Sequence, residues 1–361
     1  MPRASANKRS GQRAQANEGR GSVSIHDVAI AAKVSIATVS RVMNNPGLVA
    51  PKTAARVQEV IKEIGYVPNP FAQGLMTHES RVLGIALPDI HGEFYSELLR
   101  GADAQSRSLG YHLLVSSEPR AGEPDARGLA FGLIDGLAVM IANPDAALVK
   151  LARESSLPTV VLDVDLHERG VDSVVVDNGP GTREAVDHLL ESVAPRNLYF
   201  VGGPRENFDT QQRARAFTTE LEGAGWTARP DQVAFGDYTP EWGREWMERK
   251  LKGGDRAHGG GEPMGVFAAN DEIAIGILQA ADTAGIGIPD QLKVVGFDDT
   301  RLAVLVRPRL STVRVPLAEV GAEAVKLLVR RVEDPEAEAV CVKMPTKLVV
   351  RESSSRSPGS V

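Results

Sequence analysis

Few residues in this chain are spaced for covalent chemistry, but several are spaced for holding a ligand. No nucleophile, base and orienting group form a set. "HGGG" at 258–261 looks like an oxyanion loop, yet no Gly-x-Ser-x-Gly elbow accompanies it. "VGGP" at 201–204 lacks the further glycines and the lysine of a phosphate loop. Seven histidines are scattered, with no metal-ligand pair on one helix face. Catalytic residues, a metal and a cofactor are therefore not expected. Polar residues instead stand at or just past the ends of apolar runs. Asp163 follows "TVVL", Asn270 follows "VFAA", Asp298 follows "VVGF", and "QQRARAF" offers Arg213 or Arg215. An arginine fork holds a vicinal diol, a carboxylate or a phosphate. An asparagine both donates and accepts, and Asn270 could equally cap the helix that starts at Asp271. Phe94 and Tyr95, after the first strand, could stack on a ring or serve as core aromatics. Two carboxylates, an amide, an arginine and aromatic walls suit a polyhydroxylated small molecule. A sugar leads, with a nucleobase or a phosphorylated metabolite as alternatives.

A second chemistry-bearing stretch runs from Ser24 to Asn45, "SIHDVAIAAKVSIATVSRVMNN". Ser24, with Asp27 three residues on, forms a capping box for one helix. Val28, Ala29 and Ala32 give that helix an apolar face. Lys33 and Val34 make a turn, and Ser35 caps a second helix whose apolar side is Val39, Val42 and Met43. The other side carries Ile36, Ala37, Ser40, Arg41 and Asn44. Small residues, one cation and one amide suit a helix lying in a DNA major groove. Pro51 opens a third helix, on which Val57, Val60, Ile61 and Ile64 would cover the first two, and Gly65 ends it.

Composition sets the frame for these elements. At 361 residues the chain is too long for one ordinary core and suggests two or three folding units. Hydrophobic content of 42% and charged content of 24% fit a soluble globular protein. No apolar run approaches bilayer length, and the N-terminus lacks the apolar centre of a secretory signal. The single cysteine, Cys341, excludes an internal disulfide and a cysteine metal cluster, so a reducing cytoplasm is expected. Residues 1–80 hold ten Lys/Arg against five Asp/Glu, whereas the remainder holds 31 against 42. A basic head on an acidic body is what a DNA reader with a separate sensor would show. Residues 1–21 and 353–361 read as disordered tails.

From Arg81 onward, apolar strands alternate with helices through two successive sets. Strands this apolar are buried on both faces, which predicts parallel sheets flanked by helices in two doubly wound subdomains. Ligands of such sheets sit at the carboxyl ends of the strands.

"IHDVAIAAKVSIATVSRVMNN" followed by "GYVPNPFAQGL" closely resembles the start of the LacI/GalR family of bacterial transcription regulators, and the resemblance extends over about residues 22–351. It implies an all-α helix-turn-helix head joined to a periplasmic-binding-protein-like α/β core. The expected organisation is a head at 22–68, a hinge at 69–80 and a core at 81–352. Within that core, 81–177 and 312–340 form the N-subdomain, and 178–311 and 341–352 the C-subdomain. The resemblance implies DNA contacts by Ser24, Ile25, Ser35, Ile36, Ala37, Thr38, Ser40, Arg41 and Asn44. It also implies a hinge helix, through Asn69, Ala72 and Gln73, whose Leu75 wedges into the minor groove. For the effector it implies that Asp298 accepts hydrogen bonds and that the arginine is Arg213, four residues before Phe217. Tyr238, and with it Trp242, would border the cleft.

The resulting expectation is a cytoplasmic homodimeric regulator, a repressor, that binds a near-palindromic operator. A small-molecule effector, a sugar first, would control it from the interlobe cleft. Beside it stand a regulator of the same fold controlled by a protein partner or by no ligand, and a plain solute-binding protein.

Overall fold

The computed structural model describes residues 23–66, 80–117, 133–141, 157–252 and 262–356. The first tail, the hinge residues Asn69, Ala72, Gln73 and Leu75, the glycine run at 258–261 and the side chain of Asn44 lie outside the described residues. The chain divides into two units, 1–80 and 81–361.

The first unit is helical: α1 (Ile25–Ala32), α2 (Ile36–Asn44) and α3 (Pro51–Ile64). Its boundaries are written locally. The Ser24 backbone N–H donates to Asp27 Oδ2 at 2.8 Å, and the Asp27 N–H donates back to Ser24 Oγ at 3.4 Å. Donation to its Oδ2 from the Ser24 N–H and the Ser24 hydroxyl holds the Asp27 carboxyl below its ordinary range. Lys33 takes the left-handed conformation at the turn, φ 52°, and Ser35 Oγ accepts from the Thr38 N–H at 3.2 Å to start α2. Gly65, φ 67°, closes α3. Val28, Ala29, Ala32, Val39, Val42, Ala54 and Val57 form a small buried core. A core of this size leaves a unit of marginal independent stability.

The second unit holds two sheets, each of six strands among the described residues. The N-subdomain sheet is ordered β11-β5-β4-β3-β1-β2, from β1 (Val82–Leu87), β2 (His112–Ser117), β3 (Gly136–Met140), β4 (Thr159–Leu162), β5 (Asp172–Val176) and β11 (Cys341–Met344), all paired in parallel. The C-subdomain sheet is ordered β12-β10-β9-β8-β6-β7, from β6 (Leu198–Gly202), β7 (Val233–Phe235), β8 (Met264–Ala268), β9 (Leu292–Asp298), β10 (Ser311–Arg314) and β12 (Lys347–Val349). Only its edge strand β12 runs antiparallel, against β10. Its described α-helices are α4 (Glu93–Ser108), α5 (Asn178–Leu190), α6 (Phe208–Gly223), α7 (Pro240–Lys252), α8 (Asp271–Thr283), α9 (Leu302–Leu305) and α10 (Leu317–Glu333). The expected α/β class with two doubly wound subdomains is thus observed. Helices α4 and α10 touch backbone to backbone: a Cβ on Gly101 would lie 1.8 Å from the Ala318 carbonyl, and one on Gly321 2.1 Å from that of Leu98.

Three parts of the expected organisation need correction. Residues 312–314 belong to the C-subdomain, because β10 (Ser311–Arg314) pairs with β9. Residues 341–344 belong to the N-subdomain, because β11 pairs with β5. The chain therefore crosses between lobes at 177, 315–316 and 345–346. Thr346 ties two crossings together: its Oγ1 donates to the Asp177 carbonyl at 2.6 Å and accepts from the Gly181 N–H at 3.0 Å. The expected second tail begins too early. Ser353 and Ser354 are buried: Ser353 Oγ accepts from the Ser311 N–H and donates to the Val294 carbonyl, whereas Ser354 Oγ donates to Ser311 Oγ and lies 2.8 Å from His188 Nε2.

Candidate functional site

From the sequence, α2 is expected to carry the head's DNA-facing residues. Ala37 and Arg41 are exposed, while Thr38 and Ser40 are half-buried. Ile36, placed by the sequence on the outward face, packs partly against the head's own core, as does Ile25. Ser24 and Ser35 are occupied as caps, and Thr38 Oγ1 lies 2.9 Å from Ser35 Oγ. Arg41 is consequently the one long polar side chain on the described face of α2 that extends into solvent.

In the second unit a cavity of about 410 Å³ opens between the lobes. This lies in the size range of small-molecule sites. Phe94, Tyr95, Asp163, Arg213, Tyr238, Asn270 and Asp298 all line it. Each arrives from the carboxyl end of a strand, or from the helix that follows one, as doubly wound sheets require. Trp242 does not line it: its indole Nε1 donates to the Gly202 carbonyl at 3.0 Å, and its ring presses on Gly236. Trp242 supports β6 rather than a ligand.

Arg213 is the centre of the polar wall. It is 3% exposed and donates from Nε to Asn178 Oδ1 at 2.8 Å, from Nη1 to the Ala269 carbonyl at 2.6 Å and from Nη2 to Asp209 Oδ2 at 3.2 Å. Its guanidinium lies 3.7 Å above the centre of the Phe297 ring, a cation–π stack in a dry setting. Burial opposes its charge, but Asp209, Asp298 and Asp163 more than compensate. Arg215, two residues on, is exposed.

Asp163 and Asp298 end β4 and β9 on opposite lobes. Both backbones take positive φ, 71° and 108°. For a non-glycine residue this costs on the order of 1 kcal/mol, and such outliers concentrate at functional sites. Both side chains are more than nine-tenths buried. Burial pushes both carboxyls well above the usual range, only partly offset by Arg213. Asp298 Oδ1 is sealed from solvent with no hydrogen-bond partner among the described residues, which is costly unless a ligand supplies a donor.

Other groups are fixed in place. The Tyr238 hydroxyl donates to Asn207 Oδ1 at 2.9 Å and lies 2.5 Å from Thr210 Oγ1. Asn270 Oδ1 accepts from the Ile273 N–H at 2.8 Å and so caps α8 while facing the cavity. Phe94 and Tyr95 meet edge to face, 5.1 Å between centroids. Sequence reasoning missed Asp89, His91, Asn207, Asp209, Asp237 and Glu272, which also line the cavity. Asp209 had a legible signal, since it precedes Arg213 by four residues on one helix. Away from this cavity, Asp165, His167 and Cys341 bring three metal-capable atoms within 4.8 Å of one another. That trio is already internally bonded: His167 Nδ1 lies 2.6 Å from Asp165 Oδ1, and burial together with Asp165 pushes the Cys341 thiol up to about 11.

The comparisons agree with this two-part arrangement. The profile of bacterial regulatory proteins of the lacI family matches residues 24–69, and that of the periplasmic binding protein-like domain matches 186–354. The chain is 31% identical over 336 residues to catabolite control protein A of Priestia megaterium, covering 92% of this chain and 99% of that protein. It is 32% identical over 332 residues to the protein of the same name from Staphylococcus epidermidis, covering 91% and 98%. Among solved structures, the Lac repressor dimer bound to operator and the anti-inducer ONPF superposes with a TM-score of 0.81 at 25% identity, over 92% of this chain and 99% of that one. The transcriptional regulator CelR in complex with cellobiose gives 0.68 at 27% identity, with the same coverages. Among the described residues no helix is long and apolar enough to cross a membrane. With a capped helix-turn-helix ahead of two doubly wound lobes, and relatives aligned along nearly its whole length, the chain belongs to the LacI/GalR family of bacterial transcription regulators.

Proposed function

We propose that this protein is a repressor that binds a near-palindromic operator as a homodimer and is released by a sugar-like effector in the interlobe cavity. The observation that carries the effector reading is Asp298 Oδ1, a buried acceptor in the cavity wall with no donor of its own. A ligand hydroxyl or amine would satisfy it, and Arg213, Asn270 and Asp163 surround the same space. Phe94 and Tyr95 offer an apolar face to the carbon side of a ring. The cellobiose complex of CelR and the operator-bound Lac repressor dimer support this reading by similarity. On the DNA side, Arg41 is the base-reading candidate, with Ala37, Thr38 and Ser40 as close neighbours. Two copies related by two-fold symmetry would read two half-sites.

Coupling follows from the crossings. The lobes are joined at 177, 315–316 and 345–346, so a ligand touching Asp163 on one lobe and Asp298 on the other would favour a closed arrangement. It shifts DNA affinity only by its differential affinity for the two arrangements, typically about 1–3 kcal/mol.

The test is to incubate the full-length protein with fragmented genomic DNA at moderate salt, where nonspecific phosphate binding is suppressed, and sequence what is retained. A short palindrome whose retention falls when sugars are added is the expected result. No enriched site, with or without added metabolites, would overturn the proposal.

A further inference from the structure

Resting on the reading of the cavity as an effector site, we infer that its ligand is a polyol carrying a protonated amine, and that sugar phosphates and sugar acids are rejected. The argument begins with charge. Among the described residues, six carboxylates line the cavity, from Asp89, Asp163, Asp209, Asp237, Glu272 and Asp298, against one guanidinium, Arg213, and one imidazole, His91. No lysine lines it. Arg213 is already committed to Asp209, Asn178 and the Ala269 carbonyl. His91 Nδ1 lies 2.6 Å from Asp89 Oδ1. Among the described residues, Asp163, Asp237, Glu272 and Asp298 have no ion pair.

Burial turns this imbalance into selectivity. Asp298 is 5% exposed with Oδ1 unpartnered, and Asp163, 9% exposed, has no described hydrogen bond to its carboxyl. A buried carboxylate without a donor or counter-charge is strongly unfavourable. Neutral hydroxyls supply donors but no charge. An ammonium supplies three donors and the missing charge at one atom. A phosphate brings two negative charges into a wall that already has an excess of them, and the one available fork is occupied. Burial raises the proton affinity of both Asp163 and Asp298, as expected of carboxyl groups whose charge is poorly compensated where they stand.

The experiment is calorimetric titration of the full-length protein with matched sets of ligands. One set is glucose, glucosamine and glucose 6-phosphate, another galactose and galactosamine, and a third cellobiose and the β-1,4-linked glucosamine disaccharide. In whichever set binds, the amine-bearing member is expected to bind at least tenfold more tightly than the neutral one, and the phosphate not at all. Asp298→Asn and Asp163→Asn, each close in size to the original residue, should bring the amine-to-neutral ratio towards one. Equal binding of amine and neutral members, or tighter binding of the phosphate, overturns the inference and leaves the effector site standing. Failure of every set, together with DNA retention that no metabolite changes, overturns both. An amine preference that survives intact in both variants also overturns it, since the discriminating charge would then lie elsewhere.

Discussion

Replacing Arg213 by methionine removes a charge while leaving a side chain to lie on Phe297. The structure sets the size of the effect. Arg213 is 3% exposed, and the side chain of its ion-pair partner Asp209 is 11% exposed, so solvent does little to replace what is lost. Hydrogen bonds to Asn178, the Ala269 carbonyl and Asp209 disappear together. Asp163 and Asp298 lose the cation that offsets their burial. Removing one partner of a buried pair costs about 3–5 kcal/mol. For a folding unit of this size 1 kcal/mol corresponds to about 2–4 °C, so melting should fall by about 6–20 °C at neutral pH. The pH dependence provides a signature. Asp163 and Asp298 have folded pKa values above their unfolded ones, so they bind protons more readily in the fold. Their contribution is favourable at low pH and is lost as pH rises through the folded values. Without Arg213 those values rise further, so the deficit of the variant should shrink as pH falls from neutrality. Thermal unfolding of wild type and variant across this range checks it. A loss under about 1 kcal/mol, or a deficit that grows on acidification, would refute the account of the buried cluster.

Three further outcomes follow from the same structure. Ser24→Ala removes the α1 cap and should cost the head about 1 kcal/mol, read as earlier loss of helical signal in a marginal unit. Gly321→Ala places a Cβ 2.1 Å from the Leu98 carbonyl and must push α10 off α4, at about 2–3 kcal/mol in chemical denaturation. Burial pushes Asp271 from 3.8 to about 7, against the hydrogen bonds from Thr312 and Thr300. The protonated form is therefore retained in the fold where the unfolded chain has ionised, and roughly 4 kcal/mol of stability should be lost as pH rises from about 4 to 7. Asp271→Asn should flatten that slope, and an unchanged slope would assign it to another group.

What could be read from the sequence was whatever local chemistry writes. The Ser24–Asp27 box, the Ser35 cap and Gly65 mark helix ends by hydrogen bonding within three or four residues, so no tertiary context is needed. The apolar runs ending in Asp163, Asn270 and Asp298 announce buried parallel strands and, with them, the side of the sheet where ligands collect. The lobe assignments of residues 312–314 and of Cys341–Met344 depend instead on which distant strand each pairs with. Both are short and mix polar with apolar residues, so pattern alone left them interchanged. Ser353 and Ser354 read as tail because serine is usually exposed; backbone groups of Val294 and Ser311 meet the Ser353 hydroxyl, and the side chains of Ser311 and His188 meet that of Ser354. Asp89 and Glu272 reach the cavity through loop and helix geometry that no periodicity records. Ile36 falls on the outward side of a helical wheel, yet half-buries itself against a core too small to cover its own edge.

The central claim is that α2 reads a DNA sequence through Arg41. The measurement that tests it most directly is the ratio of specific to nonspecific DNA affinity, at one fixed moderate salt concentration, for wild type and Arg41→Ala. The account predicts that specific affinity falls by about 1–3 kcal/mol, roughly 5- to 150-fold, while nonspecific affinity changes far less. A ratio unchanged by the substitution would contradict it.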